Sequence, residues 1–320
     1  MTGPSRSRAS LLAYAALAAA VIGIAWSAIF VRWAEIPGVA SAFYRVLIAA
    51  CVLLPWRAVH APSSATRQPP TRRAWIMALA AGVCFGLDLA FFNTAIMRSS
   101  AATTSLLGSN APVFVGLGLW LLLKKQPHRL FWAGLAASMA GIVLMIWAGA
   151  SGPGRDATLD APHDLIGDLM AVAAALFFAG YLLAVAEARE SMDTLTVNAI
   201  AMAASTATLL PICLVMGAPL GNYTSATWLA LVWLGLVSQV GAYLGIAYAL
   251  GHLPTTVVSV GLLAQAPLTA ILATWLLREQ LTPLQLAGGA LVLAGIYIVN
   301  RPEPGDARPA TTESSAPARH

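Results

Sequence analysis

Ten apolar runs, each close to the length of a bilayer-crossing helix, follow one another along this 320-residue chain. Crossing a hydrocarbon core takes roughly 20 residues of helix, so runs of that length broken by charge, Pro or Gly are the signal to read. They fall at about Leu11–Val31, Gly38–Trp56, Trp75–Ile96, Ser99–Leu123, Leu130–Gly149, Leu165–Ala186, Leu195–Met216, Thr227–Leu250, Thr255–Leu277 and Leu284–Val299. Composition agrees, with 59% hydrophobic and 10% charged residues, against about 25% charged in a soluble domain. A soluble globule of this length would turn too much of that apolar surface to water. The expected fold class is an all-α integral membrane protein with the lipid bilayer as its solvent.

The net charge of +5 is not a nucleic-acid signal, because the basic residues sit in short loops between apolar runs rather than on one face of a soluble domain. Cys51, Cys84 and Cys213 lie inside apolar runs and are odd in number, so they read as packing residues and not as a disulfide framework. The first run, preceded by Arg6 and Arg8, is too long for the core of a cleaved signal peptide and continues through Trp26 and Phe30. The loop from Arg57 to Arg73 and the tail from Arg301 to His320 are rich in Pro, Ser, Thr and charge, and are expected to stay unstructured.

Lys and Arg accumulate on cytoplasmic loops, and an even number of spans puts both termini on one side. With the termini inside, that side holds Arg6, Arg8, Arg57, Arg67, Arg72, Arg73, Lys124, Lys125, Arg129, Arg189, Arg301, Arg308 and Arg319. The other side holds Arg32, Arg98, Arg155 and Arg278, and Arg45 lies within a span. The bias predicts a multi-pass protein of the cell (inner) membrane with both termini cytoplasmic.

The two halves repeat. Asn110-Ala111-Pro112 matches Gln265-Ala266-Pro267 at an offset of 155, and Trp120-Leu121-Leu122 falls on Trp275-Leu276-Leu277. At an offset of 154, Gly134 matches Gly288, Gly141 matches Gly295, Ala25 matches Ala179 and Ala95 matches Ala249. Five spans per half is an odd number, so the second copy enters the membrane upside down, the inverted-repeat plan of many secondary transporters. The expected organisation is an N-terminal segment 1–10, a first repeat 11–149, an extracytoplasmic linker 150–164, a second repeat 165–300 and a tail 301–320.

From Trp26 to Asn300 the chain resembles the EamA family of the drug/metabolite transporter superfamily. The residues that carry the resemblance are Tyr44-Arg45 opening the second span, Pro112 and Pro267 inside the fourth and ninth, and Arg278-Glu279-Gln280-Leu281-Thr282 followed by Gln285 and Gly288. The first half has Lys124 where the second has Glu279, a departure from the family's acidic turn in both halves that argues against a shared coupling role there. The resemblance implies a ten-helix carrier, commonly an exporter of amino acids or other small metabolites.

Several residues are candidates for carrying transport. Pro112 and Pro267 each remove a helical hydrogen bond near the middle of a span, freeing the carbonyls of Gly108 and Leu263. A freed carbonyl at that depth lines a cavity or finds another partner, and Asn110 and Gln265 add side-chain amides beside it. The plainer alternative is a packing kink repaired by a neighbouring helix. Arg45 and Asp88 are charges deep in the membrane, where an ionisable residue faces a partner or an aqueous cavity. At about 1.5 Å of rise per residue their depths match to within a few ångströms, so they are expected to pair between spans two and three. Arg45 would then attract substrate carboxylates or gate the cavity; the alternative is a permanent ion pair that only holds helices together. Trp26, Tyr44, Asn93, Tyr181, Gln239 and Tyr243 could wall a pocket, although singly such residues more often pack or anchor. Gly241 and Gly245 are spaced for close helix approach.

An intramembrane enzyme would need a nucleophile with a base, paired aspartates or a metal motif such as His-Glu-x-x-His, and no such motif occurs. The histidines, His60, His128, His163, His252 and His320, fall in loops or at the tail. A channel filter repeated by symmetry is not evident. The reading is a secondary transporter of small metabolites, probing alternate faces of the membrane around a midplane cavity, with a lipid or other cargo as the remaining alternative. No cofactor, no metal and no nucleic-acid partner is expected. Two complete halves in one chain make a monomer sufficient, and a homodimer is compatible with the same plan.

Overall fold

The computed structural model describes residues 4–60, 70–98, 101–121, 124–151, 165–277 and 282–301. Most of the Arg57–Arg73 loop, the linker, the Glu279 turn and the tail therefore lie outside the described residues. Helices α1 (Pro4–Ala34), α2 (Gly38–Val59), α3 (Arg72–Arg98), α4 (Ala101–Gly108), α5 (Ala111–Leu121) and α6 (Arg129–Ser151) build the first half. The second half contains α7 (Leu165–Ala188), α8 (Thr194–Val215), α9 (Ser225–Trp233), a π-helical segment (Leu234–Gly241), α10 (Ala242–Leu250), α11 (Thr255–Gly261), a 3-10 turn (Leu262–Ala264), α12 (Gln265–Leu277) and α13 (Pro283–Val299). Among the described residues nine helical stretches are long and apolar enough to cross a membrane, and the shorter apolar helix Pro283–Val299 is the tenth. The chain is thus an all-α membrane protein of two five-span repeats.

Successive spans alternate in direction, so the ends of α2, α5, α7 and α10 share one face with the start of α1, here called the basic face. Helix starts carry their own signals. Thr282 accepts from the N–H of Gln285 at 3.2 Å while the Gln285 side chain accepts from the N–H of Thr282 at 2.8 Å, a capping box at the start of α13. Thr224 and Asp193 cap α9 and α8 by a single bond each, accepting from the N–H groups of Thr227 and Thr196.

The two halves interlock through antiparallel pairs: α6 on α13, α2 on α8, and α3 on α7 with its counterpart α1 on the α9–α10 span. At the α6–α13 crossing the backbones touch. A Cβ on Gly134 would lie 2.4 Å from the carbonyl oxygen of Gly295, and one on Gly141 would lie 2.5 Å from that of Gly288. The same device joins α3 to α8, where a Cβ on Gly82 would meet the Ala201 carbonyl oxygen at 2.4 Å.

The expected Gly241/Gly245 face is only half present. A Cβ on Gly245 would meet the Ala16 carbonyl oxygen of α1 at 2.6 Å, whereas Gly241 is exposed and its nearest neighbour would be Leu236 of its own segment at 3.5 Å. The physical reason is the π segment that ends at Gly241: its wider turns take the residue off the face that a regular helix would share with Gly245. Gly23 of α1, against Ala242 and the Val237 carbonyl, supplies the second close approach.

Candidate functional site

The proline positions break both helices that carry them, and the two halves repair the break differently. In the first half, α4 ends at Gly108 and α5 restarts at Ala111, with Pro112 as its second residue. The Asn110 side chain donates to the carbonyls of Leu106 and Leu107 at 3.0 and 3.1 Å, and Ser109 donates to Ser105 at 2.7 Å. The amide of Asn110 thus caps the end of α4. In the second half the 3-10 turn Leu262–Ala264 absorbs the break, and buried Pro267 packs against Gly289 of α13. Among the described residues Gln265 makes no side-chain hydrogen bond.

Arg45 sits on α2 about 10 Å of helical rise from its start at Gly38. Its Nε donates to Oε1 of Gln239 at 2.7 Å, and the Tyr243 hydroxyl lies within its electrostatic reach. Asp88 of α3 lies within electrostatic reach of both Arg45 and Tyr243. The ion pair expected from their depths does not form: among the described residues Arg45 and Asp88 make no ion pair at contact distance. The hydrogen bond of Arg45 goes across the repeat interface to a neutral partner, while a partly exposed pair, Arg73–Glu187 at 2.9 Å, joins α3 to α7 at the basic face.

An aromatic cluster abuts this charge pair. The rings of Phe85, Tyr181 and Tyr243 lie 5.1, 4.7 and 5.8 Å apart pairwise, and Phe178 stacks on Tyr181 at 5.8 Å. Phe85, Tyr181 and Gln239 are fully buried. The Tyr181 hydroxyl is buried without a hydrogen-bond partner among the described residues, and such a group costs free energy that a polar ligand would recover. The amide nitrogen of Gln239 points to Sδ of Met202 at 3.1 Å. The site is thus composed of two charges from the first half and neutral polar groups from the second.

The remaining candidates lie elsewhere. Tyr44 turns towards the face opposite the basic one, where its hydroxyl donates to the carbonyl of Leu220 at 2.7 Å and its ring meets Trp228 and Tyr223 at 5.0 and 6.0 Å. Asn93 donates to Leu89 of its own helix at 2.7 Å and abuts Gly38. Trp26, partly buried, stacks on Phe30 at 5.7 Å. At the basic face a cavity of about 650 Å³ opens between the α5–α6 turn, the end of α7 and the α10–α11 turn, with Lys125, His128, Glu187, His252 and Leu183 in its walls. Leu183 is two residues from Tyr181 along α7. Arg189 fastens the end of α7 to that of α10 by donating to the Ala247 carbonyl at 2.9 Å.

The sequence pattern of the EamA-like transporter family matches residues 10–147 and again 165–301. The chain belongs to that family. Relatives of the same type include an uncharacterized transporter of Archaeoglobus fulgidus, 29% identical over 266 residues that span 80% of this chain and 86% of that protein. A probable terminal-alkyne amino-acid exporter of Streptantibioticus cattleyicolor is 28% identical over 256 residues, 80% of this chain and 82% of its own length. A crystal structure superposes with a TM-score of 0.73 at 20% identity, covering 92% of this chain and 96% of the other, which shows the fold alone. Within this family of transporters the π segment is what sequence reading missed, because Leu234–Gly241 is equally apolar in either helical register.

Proposed function

We propose that this member of the EamA family is a secondary exporter of amino acids or closely related small metabolites, working by alternating access around the Arg45–Asp88 cluster. The observation that carries the proposal is Arg45 at mid-span, hydrogen-bonded to Gln239, with Tyr243 and Asp88 in electrostatic reach. A zwitterion presents a carboxylate and an ammonium together; the guanidinium suits the first, since planar N–H pairs grip carboxylates bidentately, and Asp88 suits the second. Charges retained at this depth mark substrate paths in membrane proteins, and the Streptantibioticus relative is named for an amino-acid cargo. The basic face, turned to the cytoplasm, supplies entry through its cavity, and the substrate is small enough for one chain to suffice.

The test is flux of labelled amino acids and related metabolites in proteoliposomes of the purified chain, beside Arg45→Ala, with and without a pH gradient. Saturable flux that the variant loses is expected. Its gradient dependence separates proton coupling through Asp88 from facilitated exchange. Folded wild-type protein that moves none of the panel would remove the amino-acid reading.

A further inference from the structure

Gln239 is completely buried inside the π segment and is the point where the second half takes hold of Arg45. Its oxygen is well used, its nitrogen is not: the amide N–H faces the Met202 thioether at 3.1 Å, and a thioether is a weak acceptor. One repeat earlier, 154 positions back, the chain has Phe85 in a regular α-helix. The scaffold therefore demands neither the amide nor the π turn, and π turns are frequent at functional sites.

Arg45 meets Gln239 through Nε, which together with one terminal nitrogen forms an edge of the guanidinium fork that accepts a carboxylate. An amide oxygen at that edge occupies the place of a carboxylate oxygen without its charge. We infer that Gln239 is a displaceable latch on Arg45, and the residue that selects carboxylate-bearing substrates over amines. This rests on the reading of the midplane cluster as the substrate site.

The exchange is favourable at the guanidinium. The amide oxygen takes one N–H of the guanidinium, whereas a carboxylate brings the opposite charge and two parallel N–H···O bonds, so a carboxylate outcompetes the amide for Arg45. The freed amide keeps its contact with the Met202 sulfur and takes no part in holding the substrate. Neighbours of Gln239 transmit the change: Ser238 donates to the Gly23 carbonyl of α1 at 2.6 Å, and a Cβ on Gly235 would meet Ile48 of α2 at 2.6 Å. The π segment thus touches α1 and α2 at once.

The test measures binding of L-amino acids, and of the amines lacking their α-carboxylate, by ligand-induced thermal stabilisation of the purified full chain, with counterflow in proteoliposomes in parallel. Gln239→Glu supplies a permanent carboxylate to Arg45 and is expected to weaken amino-acid binding about tenfold or more, the scale of a hydrogen bond to a charged group, while amines are little affected. Gln239→Leu, close in size and unable to accept, is expected to tighten amino-acid binding. Where amines bind too weakly to compare, the opposite signs of the two variants decide. Amino-acid binding weakened by both variants, or changed by neither, overturns the latch and leaves the site reading standing. Folded wild-type protein that binds no member of the panel overturns both.

Discussion

Ser138 donates its hydroxyl to the main-chain carbonyl of Val292 at 3.2 Å, and the two residues hold the same place in successive repeats, 154 positions apart. A residue that touches its own repeat image lies on the axis relating the halves. The flanking glycines obey the same rule, Gly134 facing Gly295 and Gly141 facing Gly288, so each contact is the image of the other. The α6–α13 crossing is therefore the two-fold of the inverted repeat written in side chains.

Gly141→Val tests that crossing. Its new Cβ would lie 2.5 Å from the Gly288 carbonyl oxygen and 2.7 Å from the Val292 nitrogen, both main-chain atoms that cannot swing aside. Overpacking of this kind costs about 1–3 kcal/mol, and Gly295→Val is expected to cost as much because it is the image position. Gly221→Ala, with nothing within 4 Å of its added Cβ, is the neutral control. Thermal unfolding in detergent reads the three; a Gly141→Val protein that melts with the wild type would disprove the backbone contact.

Arg45 and Asp88 invite a charge swap. If they served only as an ion pair, Arg45→Asp combined with Asp88→Arg would restore transport. Arg45, however, donates to a neutral acceptor, the Gln239 oxygen, and an aspartate there would face Gln239 oxygen against oxygen. The expected outcome is a folded double variant without flux. Arg45→Lys should also lose about 10-fold or more, since a point charge cannot replace the fork and a hydrogen bond to a charged group is worth about 1.5–3 kcal/mol.

What could be read from the chain and what could not divide along physical lines. Spans announce themselves by hydropathy, and the repeat by Pro112/Pro267 and the paired glycines, because a proline kink and a seven-residue glycine spacing are properties of one helix. Depth is also local, which is why the heights of Arg45 and Asp88 can be compared from the sequence. Lateral neighbours are not local: that Gln239 from the eighth span, rather than Asp88, takes the Arg45 Nε depends on helix packing and on a π turn that hydropathy does not register. Asn110 and Asn93 show the same limit from the other side. Their amides serve carbonyls three or four residues earlier in the same span, an outcome that no residue spacing distinguishes from a pocket-facing amide.

Tyr44→Phe should loosen the connection between α8 and α9. The Tyr44 hydroxyl is its tether to α2, through the Leu220 carbonyl at 2.7 Å, while the ring contact to Trp228 at 5.0 Å survives the change. Loss of one such bond is worth about 0.5–1.5 kcal/mol, equivalent to roughly 2–10-fold faster local opening. Hydrogen exchange of the amides from Gly217 to Thr224 reads this directly. Unchanged exchange there would mean that the aromatic packing alone holds the connection.

Asp193 gives a pH dependence whose sign can be worked out. Burial alone would raise the pKa of this N-cap carboxyl, but the backbone N–H and hydroxyl of Thr196, with the backbone N–H groups of Asp193 and Leu195, outweigh it and hold the carboxyl below its ordinary value. A folded-state pKa below the unfolded one means that the cap's ionic stabilisation is fully present above about pH 4, the unfolded carboxylate value, and is lost as pH falls through the folded pKa. Asp193→Ala should cost about 0.5–2 kcal/mol at neutral pH. Asp193→Asn keeps an acceptor for the Thr196 N–H without a titrating group, so the stability gap between wild type and this variant should close as the pH is lowered below about 4. Melting curves of the three proteins from pH 7 downwards read the effect; a gap that stays constant with pH would show that the Asp193 charge contributes nothing to the cap.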